Sequence, residues 1–201
     1  MRAIFVDEIF AVMVANINTK LLSSLQTVNP DIQGVFFKHG HPLEIISELQ
    51  AMSKAPDKKN QRYPLIALFR DFPEERGVDA SIYSVPKLNI IIATLTNPTY
   101  FSEDRKAKNF KPILYPILGE LINQIAINGM FATPKMGVYQ YTQIDHYFWG
   151  RESIFGAEAN IFQDWIDCIE LKDFKLPIFN KCLPMPNVNN GFTYTFPFKL
   201  S

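Results

Sequence analysis

The sequence predicts an α+β fold, in which a mixed, largely antiparallel sheet is flanked by two or three helices and followed by an extended C-terminal arm. Two apolar runs, 63–69 and 88–96, have strand length and almost no polar positions, which is typical of strands covered on both faces. Amphipathic stretches predict helices before and after these runs. The elements follow the order α-β-α-β-β-α and then several strands, which does not match a doubly wound nucleotide-binding fold.

The first predicted helix covers residues 4–26 and ends before Asn29 and Pro30. Its apolar residues recur at steps of three and four, as expected for a helix with a wide apolar face. The main stripe is Phe5, Ile9, Met13, Ile17, Leu21 and Leu25, with Val6, Phe10, Val14 and Leu22 beside it.

Two further helices are predicted. One begins after His41, with Pro42 at the tolerated first position and an apolar stripe of Leu43, Ile46 and Leu49. The other covers residues 112–127 and stops at Gly129. Its inward residues are Leu114, Ile117, Leu118, Leu121, Ile122 and Ile125. A short helix is also predicted after a capping Ser102.

The remaining strands and loops are predicted from shorter signals. A strand is expected at 33–38, another near 138–144, and a bulged or bent one at 164–176. Residues 54–62 and 70–79 are expected to be loops, and an aromatic loop is expected to pass through Tyr147, Phe148 and Trp149.

The 201 residues predict a single structural domain, 1–179, with an arm at 180–201. The arm begins with an extended linker that contains Pro184 and Pro186. It ends in the strictly alternating segment 192–199, in which Pro197 favours an edge position.

The composition lowers the expectation for several function classes. The 20 basic and 20 acidic residues balance, whereas nucleic-acid binders normally carry a basic excess. There is no glycine-rich phosphate loop, and neither H-E-x-x-H nor C-x-x-C occurs. No uncharged apolar stretch of membrane-spanning length is present. We therefore predict a protein that is not an enzyme, with no cofactor or metal site, no membrane partner and no sequence-specific nucleic acid.

Polar residues that could carry chemistry have simpler structural interpretations. His39, His41 and His146 are expected at a helix entry and in loops, and Cys168 is expected to be a small core residue. Cys182 lies in the proline-rich arm. The acidic groups are expected to form ion pairs or solvated surfaces; they are Asp71, Glu74, Glu75, Asp164, Asp167, Glu170 and Asp173.

Aromatic residues are unusually abundant, with 17 phenylalanines in the chain. Aromatic anchors in loops and arms are a common interface composition. We therefore predict subunit-interface residues in the aromatic loop and in the arm; they are Tyr147, Phe148, Trp149, Phe192, Tyr194, Phe196 and Phe198. Two alternatives stay open: the loop aromatics cap their own subunit's sheet, and the arm strand joins its own sheet or a neighbour's.

Three stretches resemble structural proteins of tailed bacteriophages, of the tail-terminator or head-tail joining type. They are YPLIALFRDF at 63–72, LNIIIATLTN at 88–97 continuing through YFSEDR to FKPILYP at 110–116, and DWIDCIEL at 164–171. The resemblance implies a homo-oligomeric ring at the portal-to-tail junction, with other neck, portal-adaptor or tail-tube proteins as partners. It also implies assembly in the host cytoplasm, a place in the virion and no active site.

Two other functions compete with this expectation. One is a cytoplasmic hydrolase-like enzyme that uses an acidic pair, which would need carboxylates facing each other in a deep pocket. The other is a small adaptor that binds one partner through the aromatic arm without forming a ring.

Overall fold

The computed structural model describes residues 6–70, 74–75, 82–128, 131, 139–148, 164–176 and 178–179, without the side chains of 74–75, 82–85, 148 and 178–179. The described helices are α1 (Val6–Val28), α2 (Pro42–Lys54), α3 (Ser102–Arg105) and α4 (Tyr115–Ile127), with a 3₁₀ turn at Lys59–Gln61 and a π-helix at Lys106–Leu114. The strands are β1 (Phe36–Gly40), β2 (Leu65–Phe69), β3 (Glu74–Glu75), β4 (Ile82–Leu95), β5 (Thr142–Phe148), β6 (Trp165–Lys175) and β7 (Ile178–Phe179).

The main sheet has the strand order β1-β2-β4-β6-β5. Only the β1–β2 pair is parallel, and the other three pairs on this path are antiparallel. The short strands β3 and β7 both pair with the first half of β4. The predicted fold class, a mixed and largely antiparallel sheet flanked by helices, is therefore confirmed.

Helices cover both faces of the sheet. The larger core packs α1, the π-helix and α4 against one face of β2, β4 and β6. The smaller core packs α2 against the other face, where Leu65, Ile91 and Cys168 are buried. The two apolar runs therefore form strands buried on both faces, as predicted, because successive side chains point to opposite cores.

Helix boundaries follow local signals. α1 ends at Val28, just before Asn29 and Pro30. His41 caps α2 through a capping box with Glu44, and Pro42 occupies the first turn. All the residues predicted to face inward from α4 are buried, except for Ile122, which packs against the core while partly exposed.

Several predicted boundaries are wrong. The chain is helical without a break from Ser102 to Ile127, and Pro112, which has no N–H to donate, lies inside the π-helix. Phe101, not Ser102, is the N-cap of α3. The predicted loop at 70–79 contains β3, and β4 starts at Ile82 rather than at Leu88.

The aromatic segment also differs from prediction. Tyr147 and Phe148 belong to β5, not to a loop, because β6 offers a pairing edge beside them. Trp149 and the arm residues Phe192, Tyr194, Phe196 and Phe198 lie outside the described residues, as does Gly129. β6 is irregular as expected: its register with β4 shifts near Leu88, and Asp173 has φ of 49°.

Candidate functional site

A buried polar cluster lies where β6 begins, beneath the helical segment that runs from α3 into the π-helix. Arg105 and Asp167 are its centre, with 1% and 0% of their side chains exposed. Arg105 and Asn109 stand four residues apart, so they share one face of the helical segment. Asp167 alternates with Ile169 and Leu171 along β6, and all three point into the larger core.

Both oxygens of the Asp167 carboxylate accept hydrogen bonds. Its Oδ1 accepts from Arg105 Nη1 at 3.1 Å and from the backbone N–H of His146 at 3.1 Å. Its Oδ2 accepts from Asn109 Nδ2 at 2.6 Å. Since both oxygens are occupied by donors from the protein, the carboxylate acts as a structural anchor.

Arg105 also binds the loop that follows β4. Its Nε and Nη2 donate to the carbonyl oxygen of Tyr100 at 2.9 and 2.6 Å, and Nη2 donates to that of Asn97 at 3.3 Å. The guanidinium therefore joins this loop to β6 and holds α3 against the sheet.

His146 lies in a bulge of β5, at φ of 56°, opposite Asp167. Its Nε2 is 2.6 Å from Arg105 Nη2 and 2.8 Å from the carbonyl oxygen of Pro98. Arginine can only donate and a carbonyl oxygen can only accept, so Nε2 serves one of these two neighbours at a time, and the tautomer of the ring decides which. The bulge turns the imidazole towards the cluster and interrupts the outer edge of the sheet.

A second ion pair lies nearby, between Arg62 and Asp164. Arg62 Nε donates to the carbonyl oxygen of Lys59 at 3.1 Å, and its guanidinium carbon is 5.6 Å from the centre of the Tyr63 ring. Burial raises the pKa of Asp164, against the opposing charge of Arg62. Burial, and then the charge of Asp164, raise the pKa of Tyr63.

Three acidic side chains of the segment 164–170 are each paired with a basic residue. Asp164 and Asp167 each have their own arginine, and Glu170 lies 3.6 Å from Lys172. The predicted ion pairs are confirmed for these three residues, but the alternative of a solvated surface is wrong for the fully buried Asp167. Within the described residues, no three His, Cys, Asp or Glu side chains are grouped as a metal site.

Of the predicted interface residues, only the side chain of Tyr147 is described. It is half-buried and packs against the smaller core, beside Ile144. His39 lies in β1 and contacts the carbonyl oxygen of Leu68, while His41 caps α2. None of the described helices is both long enough and apolar enough to cross a membrane.

Exposed apolar side chains gather at the end of the sheet closest to the polar cluster. Val28 at the end of α1 and Leu95 at the end of β4 are 45% and 44% exposed. Both line a cleft whose wall also includes Tyr100. Phe101, the next residue, is 81% exposed. The sequence signal for this surface was weak, because Val28 is far from Leu95 and Tyr100 in the chain.

No family model matches the chain, and no curated protein sequence matches it.

Cys168 is fully buried in β6, which confirms the prediction that it is a small core residue. Burial, followed by the negative charges of Glu170 and Asp167, raises the pKa of the thiol to about 12. At pH 8 the thiolate fraction is then on the order of 10⁻⁴.

We expect Cys168 to resist thiol reagents in the folded protein, because the reactive thiolate is scarce and enclosed. The measurement is reaction with a chromogenic disulfide at pH 8, using the Cys182→Ser variant so that a single thiol is followed. Guanidinium chloride should release one thiol per chain. Rapid complete reaction without denaturant would contradict the described packing.

Proposed function

We propose that this chain is a structural, non-catalytic subunit that forms a homo-oligomeric ring in the neck or tail junction of a tailed bacteriophage, as a tail terminator or head-tail connector. The observation that carries the proposal is that two exposed apolar side chains, Val28 and Leu95, line one cleft at the end of β4, and that the exposed Phe101 directly follows the cleft residue Tyr100 in the chain. Scattered apolar residues are ordinary on a surface, whereas neighbouring ones mark a site of contact.

The buried polar cluster also supports a structural role. The side chains of the cluster bond to one another and to the chain around them: Asp167 accepts from Arg105 and Asn109, and Arg105 also donates to the carbonyl oxygen of Tyr100. Such a cluster stiffens the end of the sheet next to the exposed apolar residues. A stiff surface loses little conformational freedom on association, which favours assembly.

The fold class agrees with what the phage resemblance implies, a mixed sheet flanked by helices. In a ring, identical subunits meet head to tail. A head-to-tail interface closes into a ring when the rotation between neighbours divides a full turn. The partners of the ring would then be neck, portal-adaptor or tail-tube proteins, and its location the virion after assembly in the host cytoplasm.

We expect the purified full-length protein to form a discrete oligomer whose mass is a multiple of 23.1 kDa. Light scattering coupled to size exclusion at micromolar concentration measures that mass, and negative-stain microscopy shows whether the oligomer is an annulus. A protein that stays monomeric throughout, even after addition of the adjacent neck protein, would contradict the proposal.

A further inference from the structure

The imidazole of His146 lies between two groups that require opposite roles of its Nε2 atom. Nε2 is 2.6 Å from Arg105 Nη2 and 2.8 Å from the carbonyl oxygen of Pro98. The guanidinium has only donors, and the carbonyl oxygen has only lone pairs with which to accept. Nε2 therefore bonds to Arg105 when it carries no proton, and to Pro98 when it carries one.

The neutral ring is better suited to Arg105 than to Pro98. A hydrogen bond from a charged donor is roughly twice as strong as one between neutral groups. Arg105 Nη2 meets the carbonyl oxygen of Tyr100 and the imidazole, each at 2.6 Å, whereas the carbonyl oxygen of Asn97 is farther away, at 3.3 Å. The two N–H groups of Nη2 are therefore enough for the two short contacts. The proton of the neutral ring then resides on Nδ1.

A second proton on the ring changes this arrangement. The imidazolium carries N–H groups on both nitrogens, so Nε2 can no longer accept from Arg105. It can donate to the carbonyl oxygen of Pro98, which lies within hydrogen-bonding distance. His146 is exposed, so water can deliver the proton. The backbone N–H of His146 donates to Asp167 Oδ1 at 3.1 Å and takes no part in the exchange, so the ring can change partner while its backbone stays in place.

Two charged groups from neighbouring elements act directly on the ring. Arg105 of α3 opposes a positive charge on it, whereas Asp167 of β6 favours one. Other titratable side chains of β5, the helical segment and the loop after β4 are Asp145, Tyr147, Tyr100, Asp104 and Lys108. Asp104 and Lys108 pair with each other at 3.0 Å, and the Lys108 ammonium lies 4.1 Å from the centre of the Tyr100 ring. These three groups are therefore engaged with one another.

We propose that His146 is a proton-dependent switch, which bonds to Arg105 when its imidazole is neutral and to the carbonyl oxygen of Pro98 when it is protonated. The neutral ring ties β5 to α3. The protonated ring ties β5 to the loop after β4, which carries the exposed Phe101. Histidine is the side chain that ordinarily changes its charge between about pH 5 and 8. All the groups of the switch belong to one chain, so it does not depend on the proposed ring.

Nitrogen-15 NMR of the imidazoles measures which ring nitrogen carries a proton. The chain has three histidines, and the signals that are missing from a His146→Asn variant identify the ring of His146. We expect a proton on Nδ1 alone at about pH 8, and on both nitrogens at about pH 5. A neutral ring with its proton on Nε2 would already bond to Pro98 and would overturn the inference. A ring that stays neutral at about pH 5 would overturn it as well.

The loop that contains Pro98 supplies a second measurement on the unmodified protein. The backbone N–H groups of Thr99 and Tyr100 donate to the side chain and to the carbonyl oxygen of Asn97. We expect the NMR signals of these amides to move with the same midpoint as those of the imidazole, because the carbonyl group of Pro98 and the N–H of Thr99 share one peptide bond. Amide signals that do not move would mean that the proton leaves this contact unchanged, and the inference would fall.

Trp165 reports on the same event, because its ring lies edge to face with that of His146, with 5.4 Å between the ring centres. Trp149→Phe makes Trp165 the only tryptophan of the chain, so that its fluorescence can be followed against pH. We expect a change in fluorescence that is lost in His146→Asn, since asparagine tolerates the positive φ of this position. The matched control is His41→Asn at the N-cap of α2, which should keep the change. A change that persists in His146→Asn belongs to another group and overturns the inference.

Discussion

Replacing Arg105 with methionine is expected to destabilise the protein by about 3–5 kcal/mol, because it leaves the Asp167 carboxylate buried without its counter-charge. Methionine retains much of the side-chain length, so the loss measures charge and hydrogen bonding more than volume. Chemical denaturation gives the free energy of unfolding. The thermal midpoint should fall by about 10 °C or more for a chain of this length.

Lys108→Met is the matched control, because Lys108 lies in the same helical segment and forms an exposed ion pair with Asp104 at 3.0 Å. Water screens that pair, so the unfolding midpoint should stay close to that of the wild type. Equal losses for the two variants would show that Arg105 is not held in a buried pair.

A double variant refines the interpretation. Adding Asp167→Leu to Arg105→Met removes the unpaired charge, and we expect the double variant to be more stable than the sum of the single losses predicts. Asn109 would still lose its acceptor, so full recovery is not expected. Strict additivity would show that Arg105 and Asp167 do not interact.

The polar cluster also shows which features local sequence patterns can and cannot predict. The apolar runs were sufficient to predict β2 and the centre of β4, because a strand buries every side chain of such a run only when both of its faces are covered. The Arg105–Asp167 pair was missed because its members are 62 residues apart. Two signals could have revealed it. Asp167 shares the β6 face of Ile169 and Leu171, and Arg105 repeats at helical spacing with Asn109 and Ile113.

The errors in the predicted boundaries have similar physical causes. The sequence predicts a helix that starts at Pro112, where a proline is tolerated in the first turn, whereas the helical segment begins at Ser102 and continues through Pro112 as a π-helix. Pro86 lies in the part of β4 that precedes the predicted start at Leu88. There it pairs with Glu74 of the short β3, and its carbonyl oxygen accepts from the N–H of Leu176.

The exposed apolar residues at the end of the sheet depend on the same long-range relations. Val28 ends α1 and Leu95 ends β4, and nothing in their local sequence shows that they line one cleft. The cleft forms because α1 packs antiparallel to α4, which brings the end of α1 to Pro112 and Ile113. The aromatic excess suggested association, whereas the place of contact required the tertiary structure.

Substituting Phe10 with alanine should have an effect as large as that of Arg105→Met, about 3–5 kcal/mol, through loss of packing. The sequence pattern placed Ile9 on the main apolar stripe of α1 and Phe10 beside it. In the structure Phe10 is fully buried and stacks on Phe37, with 6.4 Å between ring centres, while Ile9 is partly exposed. The helix is rotated towards Phe10 because its buried face must meet both β1 and α4.

Ile9→Ala is the control that decides between the pattern and the observed rotation. The Ile9 side chain already contacts solvent, so its truncation should cost well under half of the loss at Phe10, and Val12→Ala, at a residue 50% exposed, should cost least. Denaturant midpoints of the three variants give the order directly. An order with Ile9 first would mean that α1 presents the face its sequence stripe suggests, and the larger core described for this protein would have to be rebuilt around it.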